Sequence, residues 1–185
     1  MATTILSMRT ARRFARDRRG VSALEFALVA PLMIGLYLGC AEISDGVAVD
    51  RKVSLIASTL ANVASQVTTI SASDMTNILD ASSAIVTPYS ASNLRATLSC
   101  LKIDANSRVT VAWSATRNGT ARGTGSSVTV PTALVVPNSQ LLFSEVSYNY
   151  TPTVGYTITG TLTLSDHMYM APRITAPTYV AATCT

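Results

Sequence analysis

Glu25 carries the most demanding chemistry in this chain. It is the single charge in the apolar run VSALEFALVAPLMIGLYLGC at residues 21–40, and an ionised side chain at the centre of a bilayer costs about 2.5 to 3.5 kcal/mol on insertion scales. A carboxylate retained there asks for a cation. The remaining reactive groups are few: three cysteines and one histidine. Cys100 and Cys184 fall on the side of the chain expected to be exported, where a disulfide is permitted and would tie the C-terminal tail to a central strand. With His167 they make no metal site, because a tetrahedral site needs more ligands than one imidazole and two distant thiols. His167 follows Asp166, but adjacent strand residues point to opposite faces, so the two cannot orient each other in a Ser/His/Asp relay. The glycines of Arg122-Gly123-Thr124-Gly125 lead into a strand and not a helix, which excludes a phosphate-binding loop. The sequence therefore predicts no enzyme, no cofactor, no metal and no small-molecule substrate.

The apolar run has the length of a membrane span: about 20 residues at about 1.5 Å each cover a hydrocarbon core of about 30 Å. Ahead of it stand Arg9, Arg12, Arg13, Arg16, Arg18 and Arg19, opposed only by Asp17. These arginines account for the formal charge of +4, since the rest of the chain sets eight basic residues against nine acidic ones. A nucleic-acid partner, which would need that charge on the folded domain, is not expected. The cluster should stay in the cytoplasm, sending everything after Cys40 across the membrane. An ordinary signal peptide has a shorter apolar core. Gly39-Cys40 is similar to the end of a lipoprotein signal, although Tyr37 stands where a small aliphatic residue is expected.

The stretch Arg18-Arg19-Gly20-Val21-Ser22-Ala23-Leu24-Glu25-Phe26 resembles the processing site of type IV prepilins: basic residues, Gly, four residues, Glu, an aromatic, then an apolar helix. Cut after Gly20, the chain would present an amine on Val21 that can meet Glu25 of a neighbouring subunit, pairing two charges that are each costly in lipid. The block RRGVSALEFALVAPLMIGLYLGCAEIS, with SEVSYNYTP at residues 144–152 and MYMAPR at residues 168–173, is similar to the TadE/TadG-like family of pilus assembly proteins, the minor pilins or pseudopilins of the tight-adherence branch of type IV pili. Ala171 departs from that pattern where an arginine is expected. The resemblance implies processing at Gly20 and Val21, assembly through Glu25 and Phe26, and a prepilin peptidase, other pilin-like subunits, an assembly ATPase and a membrane platform as partners. It also implies an inner-membrane, single-pass protein with its N-terminus cytoplasmic and its C-terminal domain periplasmic.

The elements that must position these residues follow from periodicity. Pro31 predicts a kink that a membrane helix tolerates, and Gly35 with Gly39 gives a G-x-x-x-G spacing open to close helix approach. Beyond the span, Val49, Val53, Ile56, Leu60, Val63, Val67 and Ile70 recur at intervals of four and three, predicting that the helix continues with one apolar stripe. The stripe serves either its own domain or a neighbouring subunit. Residues 71–88 predict a second helix capped by Ser73 or Asp74, with Ile78, Leu79 and Ile85 on its apolar face and Pro88 at its end. After Tyr89 the period changes to two. Strands are expected at residues 94–103, 108–116, 141–150, 156–164 and 167–170, with the second folded in a hairpin over a long, mobile, Gly-rich tip onto Val128 and Val130. Glu145 either pairs with Arg173 or stays solvated.

The whole reads as an α+β protein: a basic leader at residues 1–20, a transmembrane helix at 21–43, an amphipathic helical region at 44–88 and an exported β-rich, pilin-like domain at 89–185. The expected role is assembly of a tight-adherence pilus. The alternative is an uncleaved single-pass envelope protein whose exported domain binds another component of a secretion or pilus apparatus, and a lipoprotein-like binding module comes third.

Overall fold

The computed structural model describes residues 20–153, 160–180 and 182–184. The expected leader, with its arginine cluster, lies outside these apart from Gly20. The fold is α+β, one long helix and a shorter one with an antiparallel four-stranded sheet. The chain divides into two units, Met1–Glu42 and Ile43–Thr185.

Helix α1, Val21–Ser65, runs 45 residues without a break and accommodates Pro31 in its interior. It is long and apolar enough to cross a membrane, with a mean hydropathy of 1.9 over its most apolar 18 residues, none of them buried. From Val49 onward the character changes. Val49, Val53, Ile56, Ala57, Leu60, Ala61 and Ala64 are buried, a stripe of period 3.6 that closes on the chain's own sheet. The expected seam of period 3.5 drifts away from this stripe by about 20° per heptad. As a result Val63 is 39% exposed, while Ala57, Ala61 and Ala64 take the buried positions. The helix stops at Ser65, whose hydroxyl donates back to the Asn62 carbonyl at 2.7 Å. Val67 and Ile70 therefore lie beyond it, Ile70 in the short strand β1, Thr69–Ile70.

Helix α2, Ala72–Val86, starts two residues earlier than a Ser73 cap would allow and three earlier than an Asp74 cap. Ser71 is the N-cap: its hydroxyl accepts from the Asp74 N–H at 3.1 Å, and the Asp74 carboxylate accepts from the Ser71 N–H at 3.1 Å. This reciprocal S-x-x-D arrangement satisfies two orphan donors at once. It also holds the Asp74 carboxyl below its ordinary value, chiefly through the bond from the Ser71 hydroxyl. Met75, Leu79, Ser82 and Val86 form the buried face of α2. Ile78 and Ile85 are only half-buried. Lys52 of α1 donates to the carbonyls of Ile85 at 3.0 Å and Thr87 at 2.8 Å, placing a cation where the helix dipole is negative. Pro88 follows, its bond to Thr87 cis.

The sheet is built from β2, Leu94–Ile103, β3, Val109–Arg117, β4, Ser139–Tyr150, and β5, Leu162–Met170. The spatial order is β3-β2-β4-β5, antiparallel throughout. β3 pairs with β2 along one edge, returned there by a tight turn in which Asp104 Oδ1 accepts from the N–H groups of Asn106 and Arg108, both at 2.8 Å. Along its other edge the segment after the Gly-rich loop folds back as expected, although no further strand forms: Val111 N–H donates to the Ser126 carbonyl at 2.9 Å and Val128 N–H to that of Val109 at 3.3 Å, around a bridge between Thr110 and Ser127. The two strands expected at residues 156–164 and 167–170 are the single strand β5, with residues 156–159 outside the described set.

A register shift against Cys100 and Leu101 divides the apolar residues of β3. Trp113 and Ala115 join the main core beneath the helices, whereas Val109 and Val111 join Leu101, Ile103, Leu141 and Phe143 in a second cluster on the other face. A single extra residue reverses which side chains face which way. Val109, Val111 and Trp113 are alternate residues, as expected, but they do not share a face.

The C-terminal segment closes the main core. Arg173 N–H donates to the Ser65 carbonyl at 3.0 Å, and Thr178 N–H to that of Thr68 at 3.1 Å, where strand β6, Thr178–Tyr179, pairs in parallel with β1. Trp113 Nε1 donates to the Pro177 carbonyl at 2.9 Å, and the Tyr179 ring lies 5.4 Å from that of Trp113. Cys184 is bonded to Cys100, with 6.1 Å between the Cα atoms. A bridge across 84 residues of sequence removes about 4 to 5 kcal/mol of chain entropy from the unfolded state in the loop-closure treatment. Cys184→Ser should therefore lower the melting temperature of the exported domain by several degrees, and dithiothreitol should reproduce the loss in the native chain. A melt indifferent to both would show that the bridge contributes nothing.

Candidate assembly helix and sheet-face groove

Gly20 is exposed immediately ahead of α1, and Val21 is the first residue of the helix. Glu25 lies one turn further on. Phe26 is 74% exposed, in a run with Leu28, Leu32, Tyr37 and other large apolar side chains that are likewise exposed. Gly20, Gly35 and Gly39 have no atom within 4 Å of where a Cβ would stand. That part of α1 thus offers an apolar surface with two bare backbone patches one turn apart, and one carboxylate near its start. Its chemistry is association in an apolar solvent, where small residues admit a second helix and a charge finds an opposite charge. Cys40 lies in the same exposed stretch.

The second concentration of polar groups is on the sheet face away from the helices. Glu145 of β4, partly exposed, does not pair with Arg173. It accepts from Arg122 Nε and Nη2 at 2.6 Å each, a bidentate pair. Arg173 instead donates to Asn62 Oδ1 at 2.8 Å, on the opposite side of the sheet. Arg122 also lies over the Phe143 ring, 5.5 Å from its centroid, and its N–H donates to the Ser114 hydroxyl at 3.1 Å. The loop expected as a mobile tip is thereby tied to the sheet. The bond to Glu145 pushes the Arg122 guanidinium above its ordinary pKa. Gly125, at φ +79°, supplies the turn that brings the loop back.

His167 sits in the middle of β5, opposite Glu145, and not at a strand start. Its ring stands edge-on to Phe143 at 6.0 Å and to Tyr169 at 5.5 Å. The neighbouring Asp166 accepts from the Ser54 hydroxyl and from the His167 backbone N–H, the latter at 2.8 Å. The Ser54 bond is the main reason its carboxyl is held below the usual value. Burial pushes the Tyr169 hydroxyl up. Among the described residues no group of three His, Cys, Asp or Glu side chains is arranged to hold a metal ion.

Sequence reasoning placed Glu25 and the cysteines but missed Arg122. Its partner is 23 residues away, and no local pattern announces a pair formed by a loop folding back over a sheet. No family model matches this chain, and neither a curated protein nor a solved structure is significantly similar to it.

The Arg122–Glu145 pair is about one-third exposed on each side, so solvent screens it and its worth is modest. A double-mutant cycle with Arg122→Ala and Glu145→Ala should return a coupling near 1 kcal/mol in stability, with faster amide exchange across residues 118–126 in either variant. A coupling of zero with unchanged exchange would mean that the pair does not restrain the loop.

Proposed function

We propose that the protein is a non-enzymatic minor pilin or pseudopilin of a tight-adherence type IV pilus, processed after Gly20 and assembled through the first half of α1. The observation that carries this reading is one continuous helix with two characters. Its second half supplies the core of an α+β domain, while its first half leaves its apolar side chains uncovered. A helix so built has its partner outside its own chain, first the bilayer and then the matching helices of other subunits. Glu25 fits the same logic. The carboxylate is a liability in lipid on its own, and becomes a contact when an amine freed on Val21 of a neighbouring subunit reaches it. The bare backbone at Gly35 and Gly39 supports close packing of such helices.

On this reading the prepilin peptidase acts at Gly20, the exported domain stands in the periplasm, and contacts repeated from subunit to subunit along one helix give an open filament and not a closed ring. Mass spectrometry of the mature N-terminus, on the full chain extracted from membranes, tests it. The chain should begin at Val21, with Gly20→Ala retaining the arginine leader. A leader retained in the native chain would make this an uncleaved envelope anchor, and an N-terminus at a lipid-bearing Cys40 would make it a lipoprotein. Either would overturn the proposal.

A further inference from the structure

The polar face of the sheet holds a groove whose side chains the fold does not use up. Arg95 of β2 lies across from Ser147 of β4, which in turn lies across from Ser165 of β5. One row along, Glu145 lies across from His167. The loop at residues 118–122 walls one side of this open groove, whose volume is about 1000 Å³.

Charge separates the groove into two parts. Both oxygens of Glu145 are occupied by Arg122, which leaves that pair neutral. Asp166, at the rim, is engaged by Ser54 and by the His167 N–H. Arg95, by contrast, is exposed, and among the described residues it has no carboxylate or hydrogen-bond partner; the same holds for the hydroxyls of Ser147 and Ser165. An uncompensated guanidinium with two hydroxyls in line beside it matches a planar carboxylate, which arginine grips with two parallel bonds.

The other end of the groove is aromatic. Phe143 and Tyr169 stack at 4.5 Å with 10° between their planes, and the exposed His167 stands edge-on to both. Ser165 and His167 are two residues apart on one strand, about 7 Å at the usual rise, a spacing that one pyranose ring bridges. The groove also presents a sheet face and not an edge. Its backbone N–H and C=O groups are committed to neighbouring strands, so an extended peptide would find no main-chain partners there. Side-chain hydroxyls, a free guanidinium and a ring edge suit a hydroxylated ring bearing a carboxylate.

We infer that this groove binds an acidic saccharide, its carboxylate on Arg95 and Ser147 and its ring against Ser165 and His167. The inference does not depend on how the N-terminus is processed. The test is calorimetry of the full chain in nanodiscs, titrated with trigalacturonic acid, galactotriose and triglutamate. Trigalacturonic acid should bind saturably. Arg95→Ala should weaken it at least tenfold, Ser165→Ala should weaken it by a smaller factor, and Arg108→Ala, a cation outside the groove, should leave it unchanged. Absence of saturable binding, equal binding of the neutral galactotriose, or indifference to Arg95→Ala would overturn the proposal. Equal binding of triglutamate would also overturn it, by making the groove a peptide site.

Discussion

Midway along its second half, α1 accepts a hydrogen bond at the Ala57 carbonyl from the buried hydroxyl of Ser144 on β4, at 2.5 Å. Around that point Val53, Ile56, Ala57, Leu60 and Ala64 meet Leu98, Leu142 and Val146 in one core. Burying an aliphatic side chain of this size contributes about 1.5 to 3 kcal/mol, and the alanines let helix and sheet approach closely. The remaining architecture depends on this contact. It fixes which face of the sheet packs on the helices, and so which face carries the second cluster and the polar groove. It also fixes where α1 must end, and hence where β1 lies to receive β6. Lys52 and the Cys184 bridge then secure α2 and the C-terminal segment to an assembly already oriented by it.

The same helix leaves an unsolved problem at its start. Leu28 is 72% exposed and Leu32 64%, and water is a poor solvent for such a surface. The sequence around it has an apolar run of membrane length, a basic flank ahead of it and one carboxylate near its start. The proposed assembly through this half of α1 would cover that surface without any change in the domain's core.

The parts of this fold that could be read from the sequence are those that depend on local repetition. The strand at Leu94–Ile103 alternates and is bounded by turn residues, and the long helix declares itself through its hydropathy and then its stripe. The parts that could not are set at long range or by one-residue events. The heptad reading misassigned Val63 because a straight helix turns at 3.6 and not 3.5 residues. The register shift beside Cys100 carries no sequence signal, yet it sends Val111 and Trp113 to opposite faces. The Arg122–Glu145 pair depends on how a loop folds back, and Ser71 wins over Ser73 as cap because only its spacing to Asp74 allows the reciprocal bonds.

At the candidate site the division is the same. Gly20, Val21, Glu25 and Phe26 could be singled out because the motif they resemble is linear, residues of set types at fixed spacing. The groove at Arg95 and His167 exists only once three strands are set side by side. Burial of the exposed half of α1 against other subunits is measured most directly by photo-crosslinking in intact cells with benzoylphenylalanine in place of Leu28. The expected result is an adduct with a second single-span, pilin-like subunit, identified by mass spectrometry and lost in Glu25→Ala. Crosslinking to lipid alone, whether or not Glu25 is present, would contradict it.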